Sequence, residues 1–338
     1  LFTNPRTCSH LLTRLLNLSN QHSILRHKDD GYIFMRPTMM RLKQGLGGKP
    51  ISAWTVHNQK SVKFAFQTSF NDLINWRKGA TEQGKGAFLK FHCLELAEPV
   101  SESRWLHGPK GADGLQPWTV QTQDQMDRSN GNETCLPDAV LKSWRPTFLI
   151  RHPALVLPSL LRADLAFTTD LFNPDSRSNT KGYRKAWTEA KAWEVSFHWQ
   201  RQLFDWYRTN LTQAEKVSGA DDVSFPIVLD ADDIQAPSAP ALLEKYARAV
   251  GLDPDVIAFQ WDATSGQKLD EMNVYEKRLL DTVSASTGIV PGKTAKGLVL
   301  EDEKVKWEKE FGEELGGMLS AWVQEALPDY EHTRQARL

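Results

Sequence analysis

The chain has 338 residues, 40% of them hydrophobic and 25% charged, with a mean hydropathy of −0.47. That is a globular composition, far from disordered, collagenous or membrane-embedded extremes. Its 41 Lys and Arg against 42 Asp and Glu leave a net charge of −1, so no overall field draws in nucleic acid or an anionic membrane; any anion must be held locally.

Three cysteines, Cys8, Cys93 and Cys135, are too few and too scattered for a disulfide framework, and no C-x-x-C pair occurs; a reducing, cytoplasmic setting is expected. No apolar run approaches the ~20 residues of a membrane span. The opening residues show no signal-peptide pattern and already lie inside a motif. The N-x-S/T sequons at Asn17, Asn132 and Asn210 read as chance matches.

In chain order, Leu1 to Thr3 reads as the tail of a strand, broken by Asn4-Pro5 and followed by a helical pattern at Leu11, Leu12, Leu15 and Leu16. Residues 58–78 predict a helix through the stripe Val62, Phe66, Phe70, Leu73 and Ile74. Gly84 and Gly86 precede a strand from Ala87 to His92. Residues 99–135, rich in Gly, Pro, Asp, Gln and Asn, predict a long surface loop. A compact strand at 147–150 ends at Arg151-His152-Pro153 and leads into a helix through Leu165.

One long helix is expected over 183–209, with Trp187, Trp193, Trp199 and Trp206 packing in core and groove. Residues 225–229 form the next strand, and Asp230, Asp232 and Asp233 beyond it read as turn caps rather than metal ligands. A helix over 238–250 stops at Gly251, and an amphipathic helix covers 299–327. Short apolar strands alternating with helices predict a single α/β domain over 1–338, a three-layer fold with a parallel sheet between helices, carrying its loop insertion at about 99–135.

Ligands of such sheets sit beyond the carboxyl ends of the strands. Three chemically loaded segments fall there: Asn4–His10, Lys90–His92 and Arg151–Ser159. In the first, Pro5-Arg6-Thr7-Cys8-Ser9-His10 makes a strand–turn–helix whose free N–H groups, the Arg6 charge and the Thr7 and Ser9 hydroxyls suit a phosphate or sulfate. It is not a Walker loop, because no G-x-x-x-x-G-K-[ST] occurs. In isolation, an ordinary N-cap with a solvated arginine is the better explanation of it. In the third segment, Arg151 leaves a strand end and Ser159 follows eight residues later on the next helix, within reach of one anion.

Together these segments resemble the sulfotransferases that use 3′-phosphoadenosine-5′-phosphosulfate (PAPS). That family carries P-[KR]-[ST]-G-[ST] around the 5′-phosphosulfate, and R-[NH]-P with a later Ser around the 3′-phosphate; here they read P-R-T-C-S and R-H-P-A-L-V-L-P-S. Leu89-Lys90-Phe91-His92 is similar to the family's K-x-H, where His is the base. The strand at 226–229 with its acidic turn, and Val250-Gly251-Leu252 at a helix end, also fit. Pro291–Gly297 lies where a C-terminal Gly/basic loop would be, with Lys293 and Lys296 as phosphate ligands. The resemblance runs from residue 1 to about 325 and is greatest to divergent fungal-type members.

It departs at Cys8, where Gly is usual, at Arg6, where many members have Lys, and in lacking a recognisable G-x-W-K, Trp307 being displaced. The resemblance implies a P-loop-like fold and sulfuryl transfer from PAPS, leaving 3′-phosphoadenosine-5′-phosphate, to a hydroxyl or amine of a small molecule. His92, Lys90 and Arg6 would be catalytic. Arg6, Thr7, Cys8, Ser9, His10, Arg151, Ser159, Lys293 and Lys296 would hold the donor, without metal, nucleic acid or membrane. A homodimer is left open. Aromatic residues within 31–66 and the 99–135 loop would wall the acceptor pocket. Two other readings stay open: a family-shaped enzyme with changed chemistry, and a non-catalytic nucleotide-binding protein in which His92 is structural.

Overall fold

The computed structural model describes residues 1–27, 31–124, 127–165, 181–216, 223–264, 280 and 283–338. Its centre is a parallel sheet of four strands. Strands β1 (Phe2–Thr3), β4 (Phe91–His92), β5 (Thr147–Ile150) and β6 (Ile227–Asp230) lie in the order β4-β1-β5-β6. Phe2 stands beside Phe91 and Phe148, and Thr3 beside His92 and Leu149. Every residue of these four strands is buried, as continuous apolar runs covered by helices require. A second, two-stranded sheet pairs β2 (Ile24–Arg26) with β3 (Gly86–Phe88), also in parallel.

The strand expected at 87–92 is therefore two strands. Its first half pairs with Ile24–Arg26 and its second with β1. Leu89 and Lys90 form the step between them.

Helix α1 (Ser9–Leu15) follows the first strand and sinks Leu11, Leu12 and Leu15 into the core. Helix α2 (Met35–Lys43) packs against α3 (Val56–Glu82), whose start is fixed by a reciprocal cap between Thr55 and Asn58. After β4 come α4 (Cys93–Leu96) and α5 (Pro99–His107).

Helix α5 lies where a long loop was expected. The Glu98 carboxylate accepts the N–H groups of Val100 and Ser101, and Pro99 occupies the first turn, where its missing N–H costs nothing. The segment beyond it is stitched down rather than loose. Trp118 donates its backbone N–H to Glu98 Oε1 at 2.8 Å, Cys135 donates to Leu96 O at 2.9 Å, and Val120 and Leu136 are buried.

Helices α6 (Asp138–Lys142) and α7 (Pro153–Leu165) flank β5 in sequence. The single helix expected over 183–209 is two, α8 (Lys181–Glu194) and α9 (His198–Asn210). Between them the Ser196 hydroxyl takes the N–H of His198 and restarts the helix. A short α10 (Gln213–Lys216) precedes β6, and α11 (Ala239–Val250) ends at Gly251 in the left-handed region. The C-terminal helix expected over 299–327 is likewise split at Gly312 into α12 (Leu300–Phe311) and α13 (Glu313–Arg334). Helix α13 lies against α7, α9 and the last two strands of the sheet.

Candidate active site

Residues 4–8 connect β1 to α1 at the carboxyl end of the sheet. Arg6 and Cys8 both take left-handed backbone, with φ of 66° and 64°. For a residue with a side chain this conformation is strained, and such strain gathers at functional loops. The turn is held from inside: Thr7 is fully buried, its hydroxyl donates to Asn4 O at 2.8 Å, and it meets the Thr3 hydroxyl. The Thr7 hydroxyl is thus engaged within the loop itself. Leu12 N donates to Cys8 O, so intrahelical bonding makes no use of the N–H groups before it.

The two arginine-bearing segments meet here. Arg151 Nη1 donates to Arg6 O at 3.0 Å, although the residues are 145 positions apart in sequence. Arg6 Nε donates to Ser159 Oγ at 2.9 Å. Arg151 Nη2 reaches Lys293 O at 3.0 Å, and Ala295 N donates to Asp232 Oδ2 at 2.8 Å, which draws the 293–295 segment over the same loop. Arg151 is only 9% exposed, and its Nε has no hydrogen-bond partner among the described residues. Burial pushes the Cys8 thiol up, opposed by the charges of Arg151 and Arg6. Gln235 Nε2 lies 4.0 Å from Cys8 Sγ.

A second group adjoins the loop at the end of β4. Lys90 is fully buried and His92 is 8% exposed. The His92 imidazole is lowered to about 3, chiefly by burial and then by Lys90, with a hydrogen bond to the Thr3 backbone pulling the other way. Its Nδ1 is buried and has no hydrogen-bond partner among the described residues. His10, in the first turn of α1, turns its side chain to this group. Its Nε2 lies 3.2 Å from the Tyr32 hydroxyl and 3.5 Å from Lys90 Nζ.

Tyr32 covers the centre. Its ring lies 4.6 Å from the Lys90 ammonium and 5.3 Å from the His92 ring. Gly31 makes this cover possible: with φ of 103°, it sits so close to β4 that a Cβ would lie 2.5 Å from Lys90 N. Burial and the charge of Lys90 lead the causes that hold His10 neutral, well below the ordinary imidazole range.

Of the residues expected at the site, Arg6, Cys8, Arg151 and Ser159 gather around the loop with the backbone of Lys293, and His10, Lys90 and His92 form the adjoining cluster. Ser9 is buried at the start of α1. Lys293 and Lys296 are exposed; the carbonyl of Lys293 reaches Arg151, and the Lys293 charge acts on the Cys8 thiol.

The aspartates at the end of β6 and just after it have protein partners. Asp230 accepts from Tyr330, Asp232 from Ala295 N, and Asp233 pairs with Arg337. His152 accepts from Ala154 N and lies edge-on to Tyr330. A hollow of about 490 Å³ opens at the opposite end of β6, lined by Phe204, Lys216, Phe225 and Arg337 among others, away from all of this chemistry.

Two site residues had no place of their own in the sequence reading. Tyr32 fell inside the broad 31–66 segment, where only the Gly before it marks a close backbone approach. Gln235 carries no local signal.

Full-length relatives are known. The chain is 32% identical over 341 aligned positions to sulfotransferase ppzF of Metarhizium rileyi, covering all of this chain and 95% of that protein. It is 33% identical over 344 positions to sulfotransferase ppzF of Metarhizium majus, covering all of this chain and 96% of that protein.

The chain belongs to the sulfotransferase family.

No family model and no solved structure matches it. In this sulfotransferase, then, a cysteine holds the left-handed position of the loop, and the loop keeps its turn because Thr7 and Thr3 brace it from below.

Proposed function

We propose that this sulfotransferase moves a sulfuryl group from PAPS to a hydroxyl or amine of a small molecule, on a P-loop-like scaffold with His92 as the base. One observation carries the reading. The opening turn and the Arg151–Ser159 segment join through Arg151 to Arg6 O and Arg6 to Ser159, so both anion-holding segments share one location. Two guanidiniums, a serine hydroxyl and loop N–H groups form a donor set suited to phosphate and sulfate oxygens, and the unpaired Nε of Arg151 is a donor still to be satisfied.

Arg151 and Ser159 would hold the 3′-phosphate, and Arg6 with the loop backbone the 5′-phosphate end. Bound there, PAPS supplies the activated sulfuryl group. In-line transfer at sulfur parallels phosphoryl transfer, so positioning and charge stabilisation dominate. Lys90 would face the sulfuryl oxygens. His92 would take the acceptor's proton at Nδ1, the buried atom that has no partner. An imidazole at about 3 is a weak base. Burial is the larger cause of that lowering; anionic charge bound beside Lys90 offsets the smaller one and moves the imidazole upward.

Titration calorimetry with 3′-phosphoadenosine-5′-phosphate tests the donor site. The parent binds, and Arg151→Ala weakens binding about 10- to 100-fold, the loss expected of a charged hydrogen-bonding group. No binding by the parent, or an unchanged affinity in the variant, overturns the donor assignment. For the base, single-turnover transfer to a panel of phenols falls about 10²- to 10⁴-fold in His92→Ala; equal rates remove His92 from the mechanism.

A further inference from the structure

The proposed roles of Lys90 and His92 leave His10 unexplained beyond its place in the donor loop. Its side chain reaches the residues beside β4, with Nε2 between the Tyr32 hydroxyl at 3.2 Å and the Lys90 ammonium at 3.5 Å. A lysine ammonium has three donors and no acceptor, so a protonated Nε2 would set N–H against N–H at that distance. The geometry is met by a neutral imidazole with its proton on Nδ1 and its Nε2 lone pair turned to the two donors.

We propose that His10 is a positioning residue: its unprotonated Nε2 anchors the Lys90 ammonium and the Tyr32 hydroxyl, so that Lys90 is oriented over the anion loop before any substrate arrives. What Lys90 then does to the sulfuryl oxygens rests on the function proposed above; the anchoring itself does not.

Three further features fit. Lys90 is fully buried, and a buried ammonium requires lone pairs around it. The Tyr32 ring, 4.6 Å from Lys90 Nζ, adds a π face on another side. Gly31 fixes the distance from Tyr32 to Lys90 through direct backbone contact. Among the described residues, the charged or titratable groups around His10 include Lys90 from the step before β4, His92 from β4, Arg6 from the loop, Arg26 from β2 and Tyr32. The four of these other than Tyr32 disfavour the imidazolium, as burial does.

The test uses the full chain and has two arms that do not depend on an acceptor. Long-range ¹H–¹⁵N spectra of the histidine side chains, assigned with His10→Gln, should show His10 at neutral pH as the neutral Nδ1–H tautomer. An Nε2–H tautomer or an imidazolium overturns the proposal.

In the second arm, acylation of Lys90 by a water-soluble succinimidyl ester is followed by peptide mass spectrometry. Labelling should rise about fivefold in His10→Leu, the equivalent of losing one ordinary hydrogen bond, and stay within about twofold of the parent in His10→Gln, which keeps an acceptor near the Nε2 position. Equal labelling in all three proteins overturns it. Calorimetry with 3′-phosphoadenosine-5′-phosphate on the same samples separates the two readings. If the parent does not bind, the donor assignment fails while both arms still decide the anchoring. If the parent binds but either arm fails as stated, the anchoring alone fails.

Discussion

Cys8 offers a quantitative test of the loop. Its φ of 64° puts a side chain where the left-handed conformation costs about 1–2 kcal/mol. Elsewhere in a chain, replacing Gly by Ala gains roughly 0.5–1 kcal/mol by restricting the unfolded state. At position 8 the strain outweighs that gain, so Cys8→Gly should be more stable than Cys8→Ala by about 1 kcal/mol, the reverse of the usual order. Cys8→Gly also loses the contacts of a half-buried thiol packed against the core, which brings it to within about 1 kcal/mol of the parent. Cys8→Val, β-branched, should be the least stable of the set. Urea unfolding of the four proteins with linear extrapolation reads these differences. If the alanine variant is more stable than the glycine variant, the strained backbone at residue 8 is wrong and the account of the loop falls with it.

Other expectations are as direct. Glu95 is buried and its carboxyl is pushed up to about 8, chiefly by desolvation. Its folded pKa lies above the unfolded value near 4.5, so it contributes most below the latter and its contribution is lost as pH rises toward 8. Glu95→Gln should therefore gain on the parent by about 1.4 kcal/mol per pH unit between those limits; a pH-independent difference refutes this.

Arg41 and Glu102 form a fully buried ion pair, with the guanidinium 4.3 Å from the Trp193 ring. Arg41→Ala should cost about 3–5 kcal/mol in urea unfolding, because it strands a buried carboxylate, while the double change Arg41→Met with Glu102→Leu recovers most of that loss. At Gly31 any Cβ would meet Lys90 N at 2.5 Å on a left-handed backbone, so Gly31→Ala should lose about 2 kcal/mol or more.

Much of this was legible in the residues themselves. Pro5–Ser9 and Arg151 with Ser159 are short patterns read along a strand–turn–helix, and local geometry suffices to place them at strand ends. The four core strands were found as short, mostly apolar segments, with Thr3, His92, Thr147 and Asp230 as the buried polar residues at their ends.

The failures have physical causes. Ser196 and Gly312 divide helices whose apolar period continues across the break, so periodicity alone joined them. Helix α5 was hidden by composition, although Glu98 before Pro99 is a start signal in its own right. Residues 87–92 read as one strand because nothing local reports that Gly86–Phe88 pairs with a different partner from Phe91–His92. The meeting of Tyr32 with His10 and Lys90 is a tertiary contact between a loop, a helix start and a strand end, which no spacing along the chain encodes.

The strap over the loop of residues 4–8 is fastened by peptide groups. Lys293 offers its carbonyl to Arg151, and Ala295 offers its N–H to Asp232. Docking of that kind is indifferent to side-chain identity at the two fastening positions. The stretch can keep its seat while its amino acids drift, so a signature built from lysines and glycines would fade there long before the architecture did.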